Sequence, residues 1–177
     1  AVLDAVAYAH EEGVVHRDLK PANILLESSR GALVPRVIDF GIAKLIDPDQ
    51  SVREGQTATA ATKAAYTPRY AAPEQLTGTR TGPRTDVYAL ALILLEAVLG
   101  RPVFATDEDA LAALLEPSAV SSARLGYDLG PWNDVLARAL STQPEARQLD
   151  AGQLLRELDD ALAQSDDSDA VPASHSA

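Results

Sequence analysis

Apolar residues in the first ten positions recur at helical spacing through Leu3, Val6, Ala7 and Tyr8, which predicts a helix over 1–10 without an N-terminal cap. Gly13 should end it, because glycine takes the left-handed conformation without a Cβ clash. Two short apolar runs, 24–26 and 34–38, flank Ser28-Ser29-Arg30-Gly31 and read as a small hairpin with Pro35 confined to an edge. Such a hairpin would bring Asn23 and Asp39 together at one end. Residues 44 to 70 show no strong period and are rich in Thr, Ala and Gly. A loop of that length in a compact domain is usually functional or disordered. Val87 to Leu99 is apolar nearly all round, broken chiefly by Glu96, and predicts a helix buried on most faces and ended by Gly100 and Pro102. With about thirteen residues it falls short of the roughly 18 that a membrane crossing needs.

Further on, Thr106 with Asp109 forms a capping pair opening a helix through Leu115. Trp132, Val135, Leu136, Ala139 and Leu140 trace another apolar face. Asp150 with Gln153 reads as a second capping pair ahead of Leu154, Leu155, Leu158 and Leu162. The stretch 164–177 holds Asp, Ser and Ala with almost nothing to bury, so composition predicts a disordered tail after an ordered unit over 1–163. No internal repeat and no signal peptide is evident.

Composition narrows the class. Of the 177 residues 46% are apolar, enough for one domain with a substantial core. Cysteine is absent, which excludes disulfides and thiolate metal sites and fits a reducing cytosol. The net charge of −11 argues against nucleic acid as a main partner, because phosphate binding needs clustered Lys and Arg. Methionine is also absent, and the first predicted helix begins uncapped at Ala1, so the chain reads as the C-terminal piece of something longer.

The chemistry concentrates in His16-Arg17-Asp18-Leu19-Lys20-Pro21-Ala22-Asn23, in Asp39-Phe40-Gly41, and in Ala72-Pro73-Glu74. Alone, each has a bland reading: a turn Asp, a turn Asn, a chance tripeptide. In this order and spacing they resemble the catalytic loop, metal-binding loop and substrate-side motif of protein kinases, specifically bacterial Hanks-type serine/threonine kinases. The resemblance extends from residue 1 to about 163. It implies a mainly α fold, the C-terminal (large) lobe of the kinase domain with small β-hairpins and no N-terminal lobe.

From the resemblance follow roles. Phosphoryl transfer needs an aligned nucleophile, neutralised phosphate charge and metals on oxygen ligands. Asp39 would hold Mg2+ (or Mn2+), since hard cations prefer carboxylate oxygen, and Asn23 would offer a neutral amide oxygen to a second ion. Asp18 would accept the proton of the substrate hydroxyl, and Lys20 would stabilise the transferring phosphate of ATP. Lys20 also points to Ser/Thr of protein substrates. Arg17 beside Asp18 marks kinases switched by loop phosphorylation, with Thr57, Thr59 and Thr62 as acceptors and Thr59 and Thr62 preferred. Thr67 matches a threonine that bonds the catalytic Asp and Lys. His16 and Phe40 read as packing residues. Glu74 would pair with Arg147, and Asp86 would hold the backbone of the catalytic loop from below. Two positions depart from the pattern: Tyr66 stands where glycine is common, and Gln148 where proline is common.

Two other classes compete. A small-molecule phosphotransferase of the aminoglycoside or choline type shares the His-x-Asp loop, but Lys20, Thr67 and Ala-Pro-Glu favour protein substrates. A non-catalytic pseudokinase scaffold typically lacks one of the two Asp or the Asn, and all three are here. The glycine-rich loop, strand lysine and helix glutamate of the family are not in this sequence, so the 177 residues alone should bind ATP·Mg poorly and transfer little phosphate. Also expected are pairing of two copies for mutual phosphorylation and a cytoplasmic location, with any membrane anchor of a parent chain lying beyond this segment.

Overall fold

Why the first helix stops where it does is visible in its last turn. In the computed structural model, α1 spans Val2–Glu11, and Gly13 follows at φ 75°. That left-handed turn lets Val14 N–H reach back to the Ala9 carbonyl at 2.8 Å and Gly13 N–H to His10 at 3.0 Å, which satisfies the helix end. The structure describes residues 1–29, 31–40, 68–113 and 128–169.

Beyond α1 the chain forms the His16–Lys20 loop, a single 3-10 turn at Pro21–Asn23, and an antiparallel hairpin of β1 (Ile24–Ser29) and β2 (Ala32–Val37). The register pairs Ile24 with Val37 and Leu26 with Pro35. With only two strands among the described residues, both are edges, so Pro35 costs no interior ladder bond. A 3-10 turn at Pro68–Tyr70 leads to α2 (Pro73–Thr77), and then to α3 (Pro83–Leu99). After these come α4 (Asp107–Ala113), α5 (Asn133–Ala139) and α6 (Ala151–Asp169).

The core is built around α3. Val87, Leu90, Ala91, Leu92 and Leu95 are almost wholly buried and meet Val6 of α1, Leu136 of α5, and Leu154 and Leu158 of α6. All-round burial explains why α3 has no clear amphipathic face: neighbours cover it on most sides. Helix α6 instead buries one stripe, Ala151, Leu154 and Leu158, at the 3–4 spacing of a single face. Both predicted capping pairs form. Asp109 N–H donates to Thr106 Oγ1 at 3.1 Å while Thr106 N–H donates to the Asp109 carboxylate at 3.0 Å. Gln153 N–H donates to Asp150 at 2.7 Å, but the Gln153 side chain accepts from Leu149 N–H, one residue earlier than in the standard box.

Two boundaries differ from expectation. Helix α3 starts at Pro83, four residues before the apolar run, because Thr85 Oγ1 accepts from Gly82 N–H and Pro83 fits a first helical turn that has no carbonyl to meet. Helix α6 continues to Asp169, so residues 164–169 are helical where composition suggested disorder. A helix already nucleated by packing extends at little cost for each added residue. The remaining residues of the expected tail, and Leu115, lie outside the described part.

Candidate active site

Leu19 is the anchor of the loop after α1. It is 2% exposed and points into the core, so its neighbours Asp18 and Lys20 are turned the other way, each side chain about a quarter exposed. They meet there: Lys20 Nζ donates to Asp18 Oδ2 at 2.9 Å. Asn23, buried at the end of the 3-10 turn, donates from Nδ2 to the Asp18 carbonyl at 2.8 Å and lies 3.4 Å from Asp18 Oδ2. With its nitrogen committed to Asp18, Asn23 has Oδ1 to offer as an oxygen donor.

The loop carrying Asp18 is held from beneath by α3. Asp86 Oδ2 accepts from His16 N–H at 2.7 Å, and Oδ1 accepts from Arg17 N–H at 2.7 Å. A third donor, His10 Nε2, reaches Asp86 at 3.0 Å, while His10 Nδ1 accepts from Ala151 N–H at 3.1 Å. That pattern assigns the ring hydrogen of His10 to Nε2. It also ties the start of α6 to the loop through two side chains. The carbonyl of Arg17 accepts from Gln75 Nε2 at 2.6 Å. These bonds hold Arg17 at φ 66°, a left-handed conformation that costs a non-glycine residue on the order of 1 kcal/mol or more.

Asp39 is the only other non-glycine described residue with positive φ, at 56°. It sits just past β2, where Ile38 N–H donates to the Asn23 carbonyl at 2.9 Å and Ile38 O accepts from His16 Nε2 at 2.9 Å. The hairpin thus brings the backbones of Asn23 and Asp39 to one end. Asp39's side chain is exposed, and no hydrogen bond joins it to Asp18 or Asn23 among the described residues. His16 stacks at 4.8 Å and 45° on Phe40, and its Nδ1 accepts from Asp18 N–H at 3.3 Å. No cluster of three or more His, Cys, Asp or Glu side chains able to hold a metal occurs among the described residues. Two oxygen donors, Asn23 and Asp39, still suit Mg2+, which takes one or two protein ligands and completes its shell with phosphates and water.

Behind the loop, Arg147 and Glu74 form a buried two-pronged pair, Nη1 to Oε1 at 2.8 Å and Nη2 to Oε2 at 2.9 Å. Arg147 also donates to the carbonyls of Ser141 and Arg84 and lies 4.8 Å over the Tyr88 ring. Burial pushes the Tyr88 hydroxyl up to about 12, a shift that nearby Arg147 opposes and Glu74 adds to. Tyr70 is likewise raised to about 12, by burial and by its 2.9 Å bond to Glu96. Glu96, the one charge interrupting the apolar run of α3, therefore fastens the Pro68–Tyr70 turn and, through Val103 N–H, the chain after the helix.

Asp18, Lys20 and Asn23 are thus hydrogen-bonded together, Arg17 and Asp86 join them through the backbone, and Glu74 meets Arg147. Thr57, Thr59, Thr62, Tyr66 and Thr67, with Gly41, lie outside the described residues. Sequence reasoning missed His10 and Gln75. His10 falls on the Leu3–Val6 stripe of α1, and a polar residue on a buried stripe was the available signal.

The chain matches the protein kinase domain family over residues 1–157. It is 37% identical over 146 residues to the serine/threonine-protein kinase PkaA of Streptomyces coelicolor, covering 82% of this chain and 25% of that protein. With PknB of Mycolicibacterium smegmatis it shares 35% over 158 residues, covering 87% of this chain and 24% of PknB. The crystal structure of the Mycobacterium tuberculosis PknI kinase domain superposes with a TM-score of 0.57 at 28% identity, covering 90% of this chain and 52% of that one. The chain therefore spans about a quarter of these curated relatives and about half of the solved kinase domain.

Proposed function

Because the chain belongs to the protein kinase domain family, we propose that it is the large lobe of a serine/threonine protein kinase and carries the catalytic half of phosphate transfer from ATP to protein. The carrying observation is the Asp18–Lys20–Asn23 knot on a loop held by Asp86. In this reading Asp18 orients a substrate Ser or Thr hydroxyl and takes its proton. The hydroxyl oxygen bonds to the γ-phosphorus, and the bond from that phosphorus to the bridging oxygen breaks, releasing ADP. Lys20 offsets negative charge on the moving phosphate while keeping Asp18 in position. Asn23 and Asp39 would hold the magnesium, which when bound neutralises phosphate charge.

Arg17 supports a switch. Its Nε is buried with no hydrogen-bond partner among the described residues, a cationic donor suited to phosphate on Thr59 or Thr62. The register puts the exposed Leu26 and Leu33 on one face of the hairpin, an apolar seat for the small lobe and the rest of the nucleotide pocket. On this reading the 177 residues alone bind ATP·Mg weakly and turn over little.

A small-molecule phosphotransferase would share Asp18 and Asn23. The two readings separate when the full-length protein is given labelled ATP with either a generic Ser/Thr protein or a panel of small alcohols. Label is expected on the protein, and label found only on an alcohol would replace this reading. Robust turnover by the isolated 177 residues would contradict the lobe assignment.

A further inference from the structure

Gln75 is 7% exposed, yet both ends of its side chain are spent on backbone, in two different elements. Its Oε1 accepts from Ala72 N–H at 3.0 Å, which fills one orphan donor at the start of α2. Its Nε2 donates to the Arg17 carbonyl at 2.6 Å, across 58 positions of sequence. That carbonyl belongs to the peptide joining Arg17 to Asp18. The same peptide's N–H, on Asp18, is held by His16 Nδ1 at 3.3 Å. One plane is therefore gripped at both edges, and its tilt sets the direction in which Asp18's Cα–Cβ bond leaves the chain. The preceding Arg17 is left-handed, so this plane is where the loop would relax if released. Asp86 holds the other peptides, at His16 N and Arg17 N, and does not reach this one.

Helix α2 is in turn anchored through its own side chains. Glu74, the residue before Gln75, is clasped by Arg147 and also accepts from Thr85 Oγ1 at 2.9 Å. Gln75 thus passes the rigidity of that anchor to the loop.

We propose that Gln75 is a positioning residue for phosphoryl transfer, locking the Arg17–Asp18 peptide plane and tying the aim of Asp18 to the seating of α2. This rests on the kinase reading above. Two variants of the full-length protein separate the functions of the side chain. Gln75→Met removes both bonds at similar length. Gln75→Glu keeps an oxygen for Ala72 but puts an anion, with no donor, against the Arg17 carbonyl.

For both variants the expected result is a fall in kcat of about ten-fold or more, with KM for ATP within about two-fold of the original. Amide hydrogen exchange at residues 16–18 should quicken in both. Gln75→Glu behaving like the unsubstituted protein in kcat and exchange would reduce Gln75 to a helix-start residue and overturn the proposal. So would equal kcat in Gln75→Met. Should the unsubstituted protein transfer no phosphate at all, the kinase reading fails by itself, and exchange at 16–18 alone decides whether Gln75 locks the loop. If Gln75→Glu does not fold, exchange in Gln75→Met decides it.

Discussion

The His16–Asn23 loop and the hairpin are joined at Asn23, yet they are held in opposite ways. Loop residues His16, Leu19 and Asn23 are buried, and the backbone around Arg17 is fixed by Asp86, Gln75 and His16 from three directions. The hairpin is held by its own ladder and by Val37 against the core, while Leu26 and Leu33 on one face are 64% and 66% exposed and Leu25 and Val34 are exposed on the other. Asp18 and Lys20 are therefore preset by the helical body of this chain. Asp39, at the exit of β2, depends on a hairpin whose apolar leucine side chains are exposed among the described residues. The proposed acid-base residues thus rest on a more firmly held backbone than the proposed metal ligand Asp39.

Removing either partner of the Glu74–Arg147 pair should bring the largest change, since the survivor is left charged in the interior. Arg147→Ala or Glu74→Ala should cost about 3–5 kcal/mol in urea unfolding. A cost below about 1 kcal/mol would show that the body behind the loop is softer than described. Asp86→Asn leaves one acceptor oxygen for three donors and should cost about 2–3 kcal/mol, with faster amide exchange at 16 and 17. Unchanged exchange there would detach the loop from α3. On the hairpin, Leu26→Ser with Leu33→Ser should cost about 2 kcal/mol in the full-length protein if the proposed small lobe seats on both. Exposed positions normally change stability by less than about 0.5 kcal/mol, so an effect that small would leave the hairpin uncovered.

One expected effect is confined to alkaline pH. Below pH 10 the phenols of Tyr70 and Tyr88 keep their protons in folded and unfolded chains alike. Between about 10 and 12 the unfolded chain releases them while the folded one does not. Stability should therefore be complete below pH 10 and decline as pH rises through that window. Tyr88→Phe should flatten part of the decline in thermal unfolding, and an identical slope would contradict it.

Much of this was legible in residue order. Helical spacing located α1, α5 and α6, the paired apolar runs located the hairpin, and Thr106–Asp109 marked the start of α4. What escaped has physical causes. Helix α3 began early because Pro83 and Thr85 set a start that hydrophobicity does not register. Helix α6 ran on because composition cannot see a helix propagating from a packed nucleus. In the site, Asp18, Lys20 and Asn23 lie within six positions and were legible through the resemblance of that stretch to a protein kinase motif. Gln75 and His10 act across long sequence separations through hydrogen bonds to backbone and to Asp86, and nothing in a linear pattern records such partners.

The most direct test of the central claim is the turnover of the full-length protein with Asp18→Asn, an exchange that keeps size and shape but removes the proton acceptor. Phosphate transfer to a Ser/Thr protein should fall by about a thousand-fold in kcat, with KM for ATP changed by no more than a few-fold. Transfer at the original rate would contradict the account.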